Sequence, residues 1–139
     1  MIELADTGPW ILSGRYPELR AEFDSAIERR EIATCDMVKL ELLHGSRDAG
    51  EFSATRWQLD VLPQCPIGPA EFQRALDVYE ELAHQGGMHQ RQVKHKDLLI
   101  AAAAESAGVT VLHYDADFDT IAAITGQPTR WIAPRGSLR

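Results

Sequence analysis

Apolar residues along the chain fall into short runs separated by helical stripes. Residues 2–5 are short and apolar enough for a buried strand, and they stop at the turn-like Asp6-Thr7-Gly8-Pro9. Pro9 suits the first turn of a following helix. Leu19, Phe23, Ala26 and Ile27 line one face of a helix over residues 17–30. Residues 32–35 predict a second short strand. Asp36 is placed to cap a helix over 37–44, ahead of Gly45, and residues 51–62 predict another. The stretch 63–69 is a break with room for a short extended piece at 65–67. Phe72, Leu76, Tyr79 and Leu82 make the clearest stripe, on a surface helix over 70–85 that ends at Gly86-Gly87. A polar, basic segment occupies 89–96. Residues 97–107 are apolar nearly all round, which marks a buried helix, and Gly108 can close it. Residues 109–114 alternate as a strand that ends at Asp115. A short helix over 117–124, closed by Gly126, and a last strand at 129–132 complete the pattern.

Strands alternating with helices predict an α/β fold with a short, mostly parallel β-sheet surrounded by α-helices. No repeat, low-complexity tract or linker divides the 139 residues, so 1–139 is expected to form a single domain. Hydrophobic residues are 45% and charged residues 25%, as in ordinary soluble globular proteins, which argues against disorder. The longest apolar run, residues 98–104, falls short of the roughly 20 residues of a membrane-spanning helix. Met1-Ile2-Glu3-Leu4 lacks the basic start of a secretory signal. Cys35 and Cys65 make neither a disulfide framework nor a zinc site, so a reducing, cytoplasmic location is expected.

A net charge of -7 excludes a generally basic nucleic-acid binder. It does not exclude a protein that gathers carboxylates around divalent cations, because such ions reverse the sign of a local acidic site. Asp6 and Asp115 sit at predicted strand ends, where ligands bind in parallel α/β sheets. Taken alone, Asp6 reads as a turn residue. Glu41, at about 100° per residue, lies between Met37 and Val38 inside an apolar stripe. A buried carboxylate there needs either a salt bridge, with Lys39, Arg47 or a distant arginine, or a metal. Asp97 and Asp117 open helices, which alone is ordinary capping. Together these acids fit one address, and hard cations such as Mg²⁺ and Mn²⁺ prefer carboxylate oxygens. Paired ions of this kind activate water and stabilise the leaving oxygen in phosphodiester hydrolysis.

Asp6-Thr7, then Glu41 in Val38-Lys39-Leu40-Glu41-Leu42, then Asp97-Leu98-Leu99-Ile100 running into four alanines, then His113-Tyr114-Asp115-Ala116-Asp117-Phe118, come in the order of a PIN domain. Over nearly its whole length the chain resembles VapC-type toxins of bacterial type II toxin–antitoxin pairs. That resemblance implies a metal-dependent endoribonuclease using Mg²⁺, with Mn²⁺ as a possible substitute. It also implies a cognate VapB-type antitoxin and a homodimer. Carried onto this chain, Asp6, Glu41, Asp97 and Asp115 are the catalytic and metal-holding quartet. Asp117 is an additional metal ligand, and Thr7 orients Asp6 or the substrate. Gly8-Pro9 departs from the family pattern, in which many members have Ser or another small residue and then an apolar one.

An acidic protein needs a local positive surface to take RNA phosphates. Arg91, Lys94 and Lys96, with His89 and His95 among them, are expected to guide the backbone toward Asp97. Trp10, Trp57 and Trp131 can stack on bases, although packing is the more common use of tryptophan. Neither a Walker A loop nor metal-binding histidine spacing is present. Two other readings fit the same residues. One is a non-catalytic PIN-like interaction module, the other a structure-specific nuclease acting on DNA.

Overall fold

The structure, a computed structural model, describes residues 1–138. Strands β1 (Glu3–Ala5), β2 (Ile32–Ala33), β3 (Thr110–His113) and β4 (Thr129–Trp131) form one sheet in the order β2-β1-β3-β4, with every pair parallel. Parallel neighbours need long crossovers, and helices supply them. These are α1 (Thr7–Arg15), α2 (Pro17–Glu28), α3 (Asp36–His44), α4 (Ala49–Asp60), α5 (Pro69–His84), α6 (His95–Ala107) and α7 (Asp117–Thr125). A 3₁₀ turn at His89–Arg91 leads into α6. The α/β architecture expected from the pattern is therefore present, and its sheet is parallel throughout.

Side chains alternate across the short strands. Leu4, Ala33 and Val111 face a core built with α3, α5, α6 and α7, while Ala5, Ile32 and Leu112 face Phe23, Trp10 and Ile27 of the α1–α2 layer. Residues Asp97 to Ala104 of α6 are all buried. Phe118, at the start of α7, is fully buried in the larger core. Phe118→Ala is expected to lower unfolding stability by about 3–5 kcal/mol through transfer and cavity costs. A urea titration with unchanged slope and a lower midpoint checks this.

Three local differences from the sequence pattern have physical reasons. The expected turn at 6–9 is the first turn of α1, where Pro9 loses no intrahelical hydrogen bond because the first N–H groups have none. Helix α4 starts at Ala49 because Asp48 caps it, accepting from the Glu51 N–H at 2.8 Å. On α5 the packed face is Ala75, Val78 and Leu82, so Phe72 and Leu76 of the expected stripe are exposed. Helix α5 packs on α6, with Ala75 and the alanines of α6 buried between them. Among the described residues no helix is long and apolar enough to cross a membrane.

Candidate active site

The register of the sheet brings the acids together. Ala5 pairs with Leu112, and the Asp6 N–H donates to the Leu112 carbonyl at 2.9 Å, so Asp6 leaves the sheet beside the end of β3. Asp115 follows two residues after β3, and Asp117 opens α7. Asp97 sits in the first turn of α6, fully buried. Glu41 comes from α3, and Thr7 at the start of α1 donates its hydroxyl to Glu41 Oε1 at 2.8 Å. Thr7 therefore holds Glu41, across 34 residues of chain, rather than standing only on Asp6.

Asp97, Asp115 and Asp117 are the tightest group, each offering a carboxylate oxygen within 4.8 Å of the others. Asp6 and Glu41 flank it. Asp115 Oδ1 accepts from the Asp117 N–H at 2.8 Å, closing a turn that fixes both side chains. Asp117 Oδ2 accepts from the Lys94 N–H at 3.0 Å, tying the start of α7 to the start of α6. The Asp115 N–H donates to His113 Nδ1 at 3.1 Å, so the fully buried His113 ring carries its proton on Nε2. Burial holds the His113 pKa below its ordinary value and keeps the ring neutral. Alone on its strand, His113 looks like a packing residue; its place two residues before Asp115 is what ties it to the site.

Electrostatics single out two acids. Burial pushes the Asp6 carboxyl from 3.8 up to about 6, with Glu41 and Asp115 adding repulsion. Burial also drives Asp97 far above the carboxylate range, reinforced by Asp117, Asp6 and Asp115. Burial works against the charge of Asp117 too, but hydrogen bonding with Asp97 and Lys94 holds it below its ordinary value. When ionised, both oxygens of Asp97 and Oδ1 of Asp6 are buried without a hydrogen-bond donor among the described residues. A carboxylate left so is costly unless a cation meets it. An oxygen-only donor set of this kind, without cysteine or histidine, fits a hard divalent ion.

Two of the three basic residues expected to guide RNA pair with the acids of the site. Lys94 Nζ lies 2.7 Å from Asp115 Oδ2, 3.0 Å from Asp117 Oδ2 and 3.6 Å from Asp97 Oδ2. Lys96 Nζ pairs with Glu41 Oε2 at 2.6 Å. The Glu41 salt bridge thus exists, but its partner is Lys96. Lys39 pairs with Asp36 and Asp60, and Arg47 with Glu51. Arg91 is exposed on the 3₁₀ turn. Of the tryptophans, Trp10 packs edge-on against Phe23, Trp131 packs against His113 and Tyr114, and Trp57 is exposed.

Known proteins match both sequence and fold. The PIN domain family model matches residues 4–124. Ribonuclease VapC18 of Mycobacterium tuberculosis is 46% identical over 138 residues, spanning 99% of this chain and 100% of that protein. Ribonuclease VapC51 of the same organism is 38% identical over 122 residues, 88% of this chain and 87% of that protein. In fold, the chain resembles a chain of the DNA-bound VapBC structure from Salmonella typhimurium, with TM-score 0.73 at 18% identity, covering 96% of this chain and 100% of that one. It also resembles a chain of VapBC-1 from nontypeable Haemophilus influenzae, with TM-score 0.71 at 18% identity, covering 95% and 98%. The acids at the strand ends, the parallel sheet that gathers them and a full-length relative at 46% identity agree: the chain belongs to the PIN-domain family, among its VapC ribonucleases.

Proposed function

We propose that this protein is a metal-dependent endoribonuclease that hydrolyses RNA phosphodiester bonds, the toxin of a VapBC-type pair neutralised by a VapB-type antitoxin. One observation carries the metal dependence: buried Asp6 and Asp97 oxygens that meet no donor, beside Asp115 and Asp117. Asp6, Asp97, Asp115 and Asp117 would hold Mg²⁺, with Mn²⁺ able to replace it. When bound, such an ion acidifies water and takes up charge at the phosphate. Glu41, steadied by Thr7 and Lys96, stands beside this group as an acceptor for a water proton. Arg91, with Lys94 and Lys96, supplies the positive charge that an acidic protein needs near phosphates. The similarity to VapC18 and VapC51 ribonucleases supports the ribonuclease reading, and the VapBC structures of similar fold support the partner.

Attack by water on phosphorus, with the 3′ oxygen leaving, gives a 5′ phosphate and a 3′ hydroxyl. The test is incubation of purified protein with total RNA in Mg²⁺ or Mn²⁺, with chelator as control, followed by end analysis. Cutting is expected with either ion and is expected to stop in chelator. A 2′,3′-cyclic phosphate end would reject the chemistry, because it requires attack by the RNA's own 2′ hydroxyl. Cutting that persists in chelator would reject the metal.

A further inference from the structure

The three acids that come closest together are the same three that surround one ammonium group of the chain itself. Resting on the metal-dependent reading above, we propose that Lys94 is an internal counter-ion that competes with the divalent ion for the Asp97–Asp115–Asp117 corner. Lys94 then sets how tightly metal is held.

Oxygen by oxygen, the corner leaves little room for both cations. Asp115 Oδ1 accepts from the Asp117 N–H, and Oδ2, which accepts from no backbone group, is held by Lys94 Nζ at 2.7 Å. Asp117 Oδ2 accepts from both the N–H and Nζ of Lys94. An ammonium has three donors and no acceptor, and two of its donors are spent here on carboxylates. An ion that took Asp115 Oδ2 and Asp117 Oδ2 would displace Nζ or meet a like charge within contact distance.

The lysine is also built to leave. Its backbone is pinned, because it precedes α6 and its N–H is bound to Asp117. Its side chain is 51% exposed, so the ammonium can turn outward into water while the main chain stays in place. Lys96 is not equivalent, since its ammonium pairs with Glu41 outside the trio. A ligand that must displace a resident group loses apparent affinity by the fraction of time the site is open. Lys94 removal therefore strengthens metal binding, although it removes a positive charge from the RNA-facing mouth.

Isothermal titration with MnCl₂ tests this on chelator-stripped protein, comparing wild type with Lys94→Met, Lys94→Gln and Lys94→Arg. Far-UV circular dichroism first verifies that each variant is folded. Lys94→Met is expected to bind Mn²⁺ about tenfold more tightly than wild type. Lys94→Gln, the second neutral variant, is expected to follow it, and Lys94→Arg, which keeps the cation, to remain near wild type. The rise in melting temperature on adding Mn²⁺ is expected to be larger in the two neutral variants. Equal or weaker Mn²⁺ binding by folded neutral variants overturns the competition while leaving the metal-dependent reading intact. Absence of Mn²⁺ binding in wild type and neutral variants alike overturns both.

Discussion

Asp97→Asn is expected to reduce RNA cutting by at least about 100-fold and, at the same time, to make the metal-free protein more stable. The two effects share one cause. Asp97 is fully buried, and neither of its ionised oxygens meets a donor. Its nearest cation, Lys94 Nζ, stands 3.6 Å from Oδ2, beyond hydrogen-bond distance. Asp6, Asp115 and Asp117 add repulsion from around it. Such a carboxylate has value for holding a cation and is a cost without one. The amide keeps the shape, removes the charge and offers two N–H donors to the neighbouring acids. Above about pH 8, where the wild-type carboxyl is ionised, removing this buried charge is expected to stabilise the metal-free fold by about 1–3 kcal/mol. Paired denaturant titrations in chelator and RNA assays in Mg²⁺ and Mn²⁺ read the two effects separately. A variant that is less stable than wild type in chelator would mean that the carboxylate is already satisfied by the chain. A variant that still cuts RNA at the wild-type rate would remove Asp97 from the site.

This opposition between stability and chemistry explains which parts of the protein could be read along the chain. Helix α6 was legible because eight successive buried positions leave no polar face, and a charge at its start stands out against them. Glu41 was legible for the same reason, as an acid inside a stripe. The sheet's parallel order followed from the alternation of short apolar runs with helices. Partner choice was not legible. The hydroxyl of Thr7 reaches Glu41 only because α1 and α3 pack side by side, and no local spacing encodes that. Lys94 and Lys96 look like a solvated basic patch in one dimension. In three dimensions their ammonium groups fold back onto acids, of which Asp115, Asp117 and Glu41 lie 21 or more residues away, where the unbalanced negative charge draws them. The stripe on α5 is covered only in part in the single chain, with Leu82 buried and Phe72 and Leu76 exposed. Periodicity located its apolar side, but the packing of α5 on α6, which no local spacing encodes, set which residues are covered.

A second large effect is expected in pH dependence, where Asp6 makes metal-free stability fall as pH rises. Its carboxyl titrates at about 6 in the folded chain, against about 3.9 for an unfolded aspartate. Between those values the folded state keeps a proton that the unfolded state has released. Stability falls wherever the native state binds more protons, so this contribution is fully present below about pH 4 and is lost as pH rises through about 6. The displacement of roughly two pKa units corresponds to about 3 kcal/mol. His113 contributes with the opposite sign, because its pKa is lowered and the unfolded imidazole takes up a proton first as pH falls. Comparing wild type with Asp6→Asn cancels that term, since both proteins carry His113. In chelator, the stability advantage of Asp6→Asn over wild type is expected to grow by about 2 kcal/mol between about pH 4 and 7, read by urea titrations across the range. Mn²⁺ is expected to reverse the slope for wild type, because an ion holds the carboxylates ionised and competes with protons for them. An advantage that stays constant with pH in chelator would mean that Asp6 titrates normally, and the buried oxygen at the end of β1 would then need no cation.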